Sequence, residues 1–316
     1  MLLTYLIVVA VGFVVLAWSA DRLVEGSSSL ARQLNISTFA IGVVILGFGT
    51  SLPELLVSAT AAFRGSGGIA IGNAFGSNIA NIALILGISA LILPLAADRT
   101  LVKRDIPLIL FGTAGVFLIL SDLALGRWEG ILLMIALVGI ITWIVRSGQA
   151  AAPITSKSTE HTTVTALALI LIGLVLLLGS AWALVWASVG LARMLEVDEL
   201  LIGLTLVAIG TSLPELAASL ASLKRAEGSG LILGNVVGSN LFNTLGVVGV
   251  PAAIRPFSVS PMLWYDGLIM LALTALLGFL LFRRGGFRLT RSGAILLLVC
   301  YIGYLGWNAE RMMVPV

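Results

Sequence analysis

Ten stretches of this chain stay apolar for about as long as a helix needs to cross a bilayer, roughly 20 residues. They run over approximately 2–19, 38–62, 69–93, 106–121, 130–145, 163–190, 200–222, 231–253, 262–282 and 291–308. Backbone crosses hydrocarbon only where its N–H and C=O groups are satisfied internally, in a helix or a closed barrel. Runs this long and continuous exceed barrel strands. The fold class is therefore all-α and integral to a membrane, with ten transmembrane helices. Composition agrees, since 10% of the 316 residues are charged, against about 25% in soluble domains. The net charge of +3 comes from a few loop lysines and arginines and does not point to nucleic acid. The single Cys300 excludes an intramolecular disulfide and disfavours a thiolate metal centre. His161 stands alone in a polar segment and reads as a solvated side chain. The start, Met-Leu-Leu-Thr-Tyr, has no basic residue before the apolar run, so residues 2–19 are read as an uncleaved first span.

A hexapeptide inside these runs occurs twice, Gly49-Thr-Ser-Leu-Pro-Glu54 and Gly210-Thr-Ser-Leu-Pro-Glu215. Each is followed by a second matching block, Gly72-Asn-Ala-Phe-Gly-Ser-Asn78 and Gly234-Asn-Val-Val-Gly-Ser-Asn240. Both blocks recur at an offset of 161 or 162 residues, which marks an internal repeat. The sustained polar segment 146–162 divides the spans five and five. The expected organisation is a first five-helix repeat over 1–150, a short linker over 151–162 and a second repeat over 163–316. An odd number of spans turns the second repeat upside down, so the two hexapeptides approach from opposite sides and meet near the midplane. With the N-terminus outside, thirteen of the eighteen Lys and Arg residues fall on inner loops. Both termini are then expected outside.

Glu54 and Glu215 lie within spans, where a charged carboxylate costs at least about 2.5–3.5 kcal/mol on insertion scales unless it has a partner. The cores of the neighbouring spans offer no Lys or Arg, which leaves a bound cation as the natural partner. Pro53 and Pro214 should release the carbonyls of Gly49 and Gly210. Unwound carbonyls near Gly47, Thr50, Ala208 and Thr211 can then face a cavity. Thr50, Ser51, Thr211 and Ser212 add hydroxyls within a turn of the glutamates. Ser77 with Asn81, and Ser239 with Asn243, lie four residues apart on one helical face. Carboxylate, hydroxyl, carboxamide and carbonyl oxygens suit hard cations such as Ca²⁺ and Na⁺. A plainer reading stands beside this one: Ser51-Leu-Pro-Glu54 also has the form of a helix capping box. Ser77 and Ser239 have the alternative of bonding back to their own helix. Asn78 and Asn240 read as interhelical hydrogen bonders, and Asn73 and Asn235 are left undecided. Trp18, Trp128 and Trp264 are expected at the interfaces. Asp105 and Asp266 are expected as snorkelling or loop charges.

At the doubled motif the chain resembles the cation/Ca²⁺ exchanger superfamily, most of all the prokaryotic sodium/calcium exchangers. The resemblance covers both repeats and the five-plus-five layout. It implies ions bound between helices 2, 3, 7 and 8, and exchange of Na⁺ against Ca²⁺ by alternating access in a prokaryotic plasma membrane. By motif position it implies Glu54 and Glu215, with the carbonyls of Thr50 and Thr211, as Ca²⁺ ligands. Ser51, Ser77, Ser212 and Ser239, with the carbonyls of Gly47 and Ala208, match Na⁺ ligands. Asn81 and Asn243 complete the set. K⁺-dependent members carry Asp where this chain has Asn243, which argues for K⁺ independence.

The implied protein is a transporter and not an enzyme, with no cofactor; its partners are the two ions and the lipid bilayer, and one chain holds the whole ion pathway. Ca²⁺/H⁺ or other divalent cation/proton antiport is the alternative within the class, and a cation channel the alternative outside it. No His-Glu-x-x-His motif supports a metallohydrolase.

Overall fold

A computed structural model describes residues 1–148, 161–196, 208–283 and 287–313. Apolar side chains outnumber polar ones along every expected span, and the described elements there are helices. They are α1 (Leu2–Gln33), α2 (Thr38–Thr50), α3 (Leu52–Phe63), α4 (Gly67–Ile92), α5 (Leu101–Asp122) and α6 (Arg127–Gly148). The second half has α7 (Thr163–Met194), α8 (Ala208–Thr211), α9 (Leu213–Ser222), α10 (Gly228–Ile254), α11 (Leu263–Phe282) and α12 (Arg291–Met313). Among the described residues eight helices are long and apolar enough to cross a membrane, or nine if the bent pair α2–α3 is counted as one span. The tenth expected span, 200–222, is described only from residue 208.

The first span runs further than expected. α1 continues to Gln33 because nothing breaks it at Ser19, and its 32 residues reach about 48 Å at 1.5 Å per residue. That exceeds a hydrocarbon core of about 30 Å, so its last turns carry Asp21, Arg22 and Glu25. Asp21 pairs with Arg225 at 2.9 Å and Glu25 meets His161 at 2.8 Å.

Four two-residue strands close the two ends of the bundle. β1 (Leu95–Ala96) pairs antiparallel with β4 (Arg288–Leu289), and β2 (Ala124–Leu125) with β3 (Phe257–Ser258). At the β1–β4 end lie the start of α10, where Ser229 bonds the amide of Ala96, and the start of α12, where Arg291 bonds the carbonyls of Leu91 and Ile92. At the β2–β3 end Gly67, opening α4, packs on Phe257, and Arg127 bonds the carbonyl of Ile254, closing α10. Thus α4 starts at the end where α10 finishes. These repeat-related helices run in opposite directions, as an odd span count requires.

The interior falls into two clusters. The larger runs through α2 to α6 and α9 to α12, with Phe75, Ile82, Ile85, Leu86 and Leu277 at 2% exposure or less. The smaller joins α1 and α7 through Leu16, Leu23, Leu177 and Leu184, with Leu46, Ala221 and Leu231 at its edge. α1 and α7 are antiparallel: Gly190 lies on Tyr5, Leu184 on Gly12, and Leu23 on Gly173.

Two charges depart from expectation. Asp105 and Asp266 are buried, at 1% and 9% exposure, instead of snorkelling. Each holds an arginine that folds back over it: Arg104 at 2.7 Å, stacked on Trp143, and Arg311 at 3.4 Å, stacked on Trp307. Pairing within the protein removes the need to reach water. Trp18 and Trp128 are exposed as an interfacial belt requires, whereas Trp264 packs edge-on against Phe117.

Candidate ion-binding site

The chain bends by 45° between α2 and α3, at the first hexapeptide. Pro53 and Pro214 sit in the first turns of α3 and α9, where their missing N–H is tolerated. Neither Ser51 nor Ser212 makes the side-chain bond of a helix cap. Both oxygens of Glu54 and the hydroxyl of Ser51 are buried without a hydrogen-bond partner. The capping-box reading therefore fails at the first copy, because neither half of the reciprocal bond forms.

The two copies meet. Beside the Glu215 carboxylate lie the carboxylate of Glu54 and the hydroxyls of Thr50 and Ser51. Ser77, on α4, lies beside Glu54. Ser239, on α10, donates to the carbonyl of Gly47 at 3.2 Å, across to the other repeat instead of back to its own helix. That approach rests on glycines: a Cβ on Gly47 would come within 2.8 Å of the Gly238 Cα, and one on Gly234 within 2.3 Å of the Phe39 carbonyl. Thr50 donates to Leu46 O at 2.8 Å and to Asn235 Oδ1 at 3.3 Å. Glu54, Glu215, Thr50, Ser51, Ser212 and Ser239 are all at most 3% exposed.

Asn81 and Asn243 each open a widened π-helical turn, Ala80–Ile85 in α4 and Phe242–Val247 in α10. Such turns are frequent at functional sites, since they redirect side chains out of the regular helical register. Oδ1 of Asn81, both polar atoms of Asn243 and Oε2 of Glu215 are buried without hydrogen-bond partners. Asn81 instead uses its Nδ2 to reach Asn240 at 3.1 Å. Asn78 spans the helix pair as expected, donating to Thr244 Oγ1 at 2.8 Å. Of the remaining candidates Thr211 is half-buried, and Ala208 opens the described part of its copy.

Buried, bare carboxylate oxygens cost several kcal/mol in a low-dielectric interior unless a charge compensates them. Here they face the hydroxyls of Ser77, Thr50 and Ser51, with no lysine or arginine among the described neighbours. An all-oxygen, doubly acidic cluster is chemically matched to a hard cation.

Asn73 and Asn235, undecided from sequence, have defined partners. Asn73 Nδ2 donates to the carbonyl of Glu54 and to Ser58 Oγ, at 3.2 and 3.1 Å. Asn235 Nδ2 does the same to Glu215 and Ser219, at 3.2 and 3.0 Å. Ser58 and Ser219 were missed in the sequence, although they stand at the repeat offset, four residues after each glutamate.

Comparison with known proteins agrees with this architecture. The sodium/calcium exchanger protein family matches residues 4–146 and 165–309. CaxA of Alkalimonas amylolytica is 43% identical over 308 residues, 94% of this chain and 96% of its own. The sodium/calcium exchanger MaX1 of Methanosarcina acetivorans is 28% identical, over 95% and 97% of the two chains. The solved structure of the sodium-calcium exchanger NCX_Mj superposes with a TM-score of 0.85 at 34% identity, covering 97% of this chain and 99% of that one. The chain is a multi-pass membrane antiporter, and it belongs to the sodium/calcium exchanger protein family.

Proposed function

We propose that this protein exchanges Na⁺ against Ca²⁺ by alternating access, without K⁺. The observation that carries the reading is the meeting of Glu54 and Glu215, one from each hexapeptide, in a buried oxygen-lined cluster. Two carboxylates carry a charge of −2, which one Ca²⁺ or several Na⁺ neutralise. Either loaded form can pass through a closed state, whereas the bare doubly charged site is penalised. Obligatory exchange follows from that asymmetry. In this reading Glu54 and Glu215 hold Ca²⁺ with the carbonyls of Thr50 and Thr211. Ser51, Ser77, Ser212 and Ser239, with the carbonyls of Gly47 and Ala208, take Na⁺. Asn81 and Asn243 complete the shell, and the amide of Asn243 leaves no third carboxylate for K⁺.

The two halves, 1–150 and 163–316, act as opposed repeats around that centre. Thirteen of eighteen basic residues lie on one set of alternate loops. That face is assigned to the cytoplasm and both termini to the outside of a prokaryotic plasma membrane.

The test is uptake of radioactive Ca²⁺ into proteoliposomes loaded with Na⁺. Uptake that collapses without the Na⁺ gradient, and does not need K⁺, is the expected result. Uptake driven equally by a proton gradient would replace Na⁺ coupling with H⁺ coupling. Ca²⁺ flux with no counter-ion would make the protein a channel.

A further inference from the structure

We propose that Asn73 and Asn235 are positioning residues, each clamping a glutamate-bearing turn to the helix that carries the serine beside the site. The proposal deepens the antiporter reading and rests on it for the ion affinities.

The turns in question begin at a break in the helix, tied back at the first copy by the Ser51 N–H to the Gly47 carbonyl at 3.3 Å. Pro53 and Pro214 have no N–H to return to the preceding turn. Ser51 and Ser212 make no cap bond. Something else has to set the height and rotation of the first turn of α3 and of α9. In both copies it is a buried or half-buried amide from across the helix interface. Asn73 grips the carbonyl of Glu54 at 3.2 Å and Ser58 Oγ at 3.1 Å. Asn235 grips the carbonyl of Glu215 at 3.2 Å and Ser219 Oγ at 3.0 Å. A carbonyl only accepts, so the amide must present its NH₂ to each glutamate, and its orientation follows from chemistry.

The placement explains why an amide stands there. Asn73 is one turn before Ser77 on α4, and Asn235 one turn before Ser239 on α10. Ser77 lies beside the Glu54 carboxylate, so α4 holds that residue by its main chain and faces it at its side chain. Asn235 also accepts from Thr50 through Oδ1, at 3.3 Å. The second clamp therefore reaches into the first hexapeptide and couples the two copies. A divalent ion shared by two carboxylates depends on their placement, and the four amide bonds fix each glutamate's turn while the Thr50 contact joins the two copies.

The test combines Asn73→Ala, Asn235→Ala and the milder Ser58→Ala with two readouts. In proteoliposomes, each asparagine variant should raise the Ca²⁺ concentration for half-maximal exchange about tenfold, the upper end of what a lost hydrogen bond contributes. Maximal flux should hold within about twofold if the effect is on binding rather than on the amount of folded protein. Ser58→Thr, which keeps the hydroxyl, should restore the wild-type value that Ser58→Ala loses. In detergent, amide hydrogen exchange should quicken over 52–58 in Asn73→Ala with 213–219 unchanged, and over 213–219 in Asn235→Ala with a smaller change reaching the first hexapeptide through Thr50. Reduced maximal flux with unaltered half-saturation would reduce the clamps to general packing, and unaltered exchange in both segments would overturn them. Wild-type protein with no Na⁺-driven Ca²⁺ flux would sink the antiporter reading alone, because hydrogen exchange still judges the clamps. Should Asn73→Ala fail to fold, Ser58→Ala with its threonine rescue carries the same decision.

Discussion

Two pairs of repeat-related helices, α4 with α10 and α1 with α7, are all long and apolar enough to cross a membrane, and they behave in opposite ways. In the most apolar stretch of α10, 94% of residues are buried, against 17% in α1. α4 and α10 turn their polar side chains inward, on to Ser77, Ser239 and the asparagine network. α1 and α7 face mostly outward, pack chiefly on each other, and keep their charges away from the middle of the pair, with Asp21, Arg22, Glu25 and Arg32 towards the end of α1 and Arg193 in the last turn of α7. The buried pair is the less apolar of the two, although all four helices satisfy the bilayer. What separates them is whether an embedded polar group has a neighbour of the other repeat. The buried serine and asparagine network lies on one pair, beside the glutamates of α3 and α9, and the other pair faces outward.

The strongest way to break this contrast is to remove charge from the inner pair's neighbourhood. Glu54→Gln and Glu215→Gln should each cut Ca²⁺ exchange about a hundredfold, since bonds to charged groups contribute roughly 1.5–3 kcal/mol each. Flux in proteoliposomes measures it, with folded protein quantified by gel filtration; robust exchange by either variant removes that glutamate from the site. Next comes packing. Gly238→Ala on α10 would drive a Cβ to 2.5 Å from the Val43 carbonyl, backbone that cannot yield. It should cost about 1–3 kcal/mol. Gly179→Ala on α7 has open space and should leave the melting temperature in detergent unchanged. Equal melting temperatures for the two variants would erase the distinction between the pairs.

A finer probe is Asn243→Asp, which adds a third carboxylate to the buried cluster. It should shift the pH or K⁺ dependence of exchange several-fold while the protein folds normally, because a third carboxylate there must be protonated or ion-paired. An unchanged ion profile would take Asn243 out of the site. The smallest effect belongs to the outer pair. Asp21→Asn loses a half-exposed contact with Arg225 and should lower stability by at most about 1 kcal/mol. A larger loss of melting temperature would mean that this end of α1 is a structural keystone.

Most of the architecture was legible because membrane helices announce themselves by length. The expected and observed spans differ by a few residues, except at α1, where the polar turns beyond Ser19 continue a helix that hydropathy truncates. The meeting of Glu54 with Glu215, Ser51 and Ser77 was legible from the repeat. The roles of Asn73 and Asn235 were not, because an amide names no partner until the neighbouring helix is placed. Asp266 misled for the same reason: Arg311, which covers it, lies 45 residues away in sequence. Asp105 differs, since its partner Arg104 is the adjacent residue and only the burial of the carboxylate was hidden. Local sequence shows that a polar group sits in the membrane, and only tertiary structure shows what satisfies it.

The strand pairs carry a consequence for how such a chain is assembled. Each ladder joins one strand from either side of the polar segment, β1 to β4 and β2 to β3, and neither half pairs its own two strands. A half released from its mate would expose two raw edges as well as the acidic face of its hexapeptide. Each strand pair thus ties the chain before the polar segment to the chain after it. Severed between α6 and α7 and produced as two polypeptides, the halves should find each other in the membrane and restore exchange, while either alone should be cleared as an orphan.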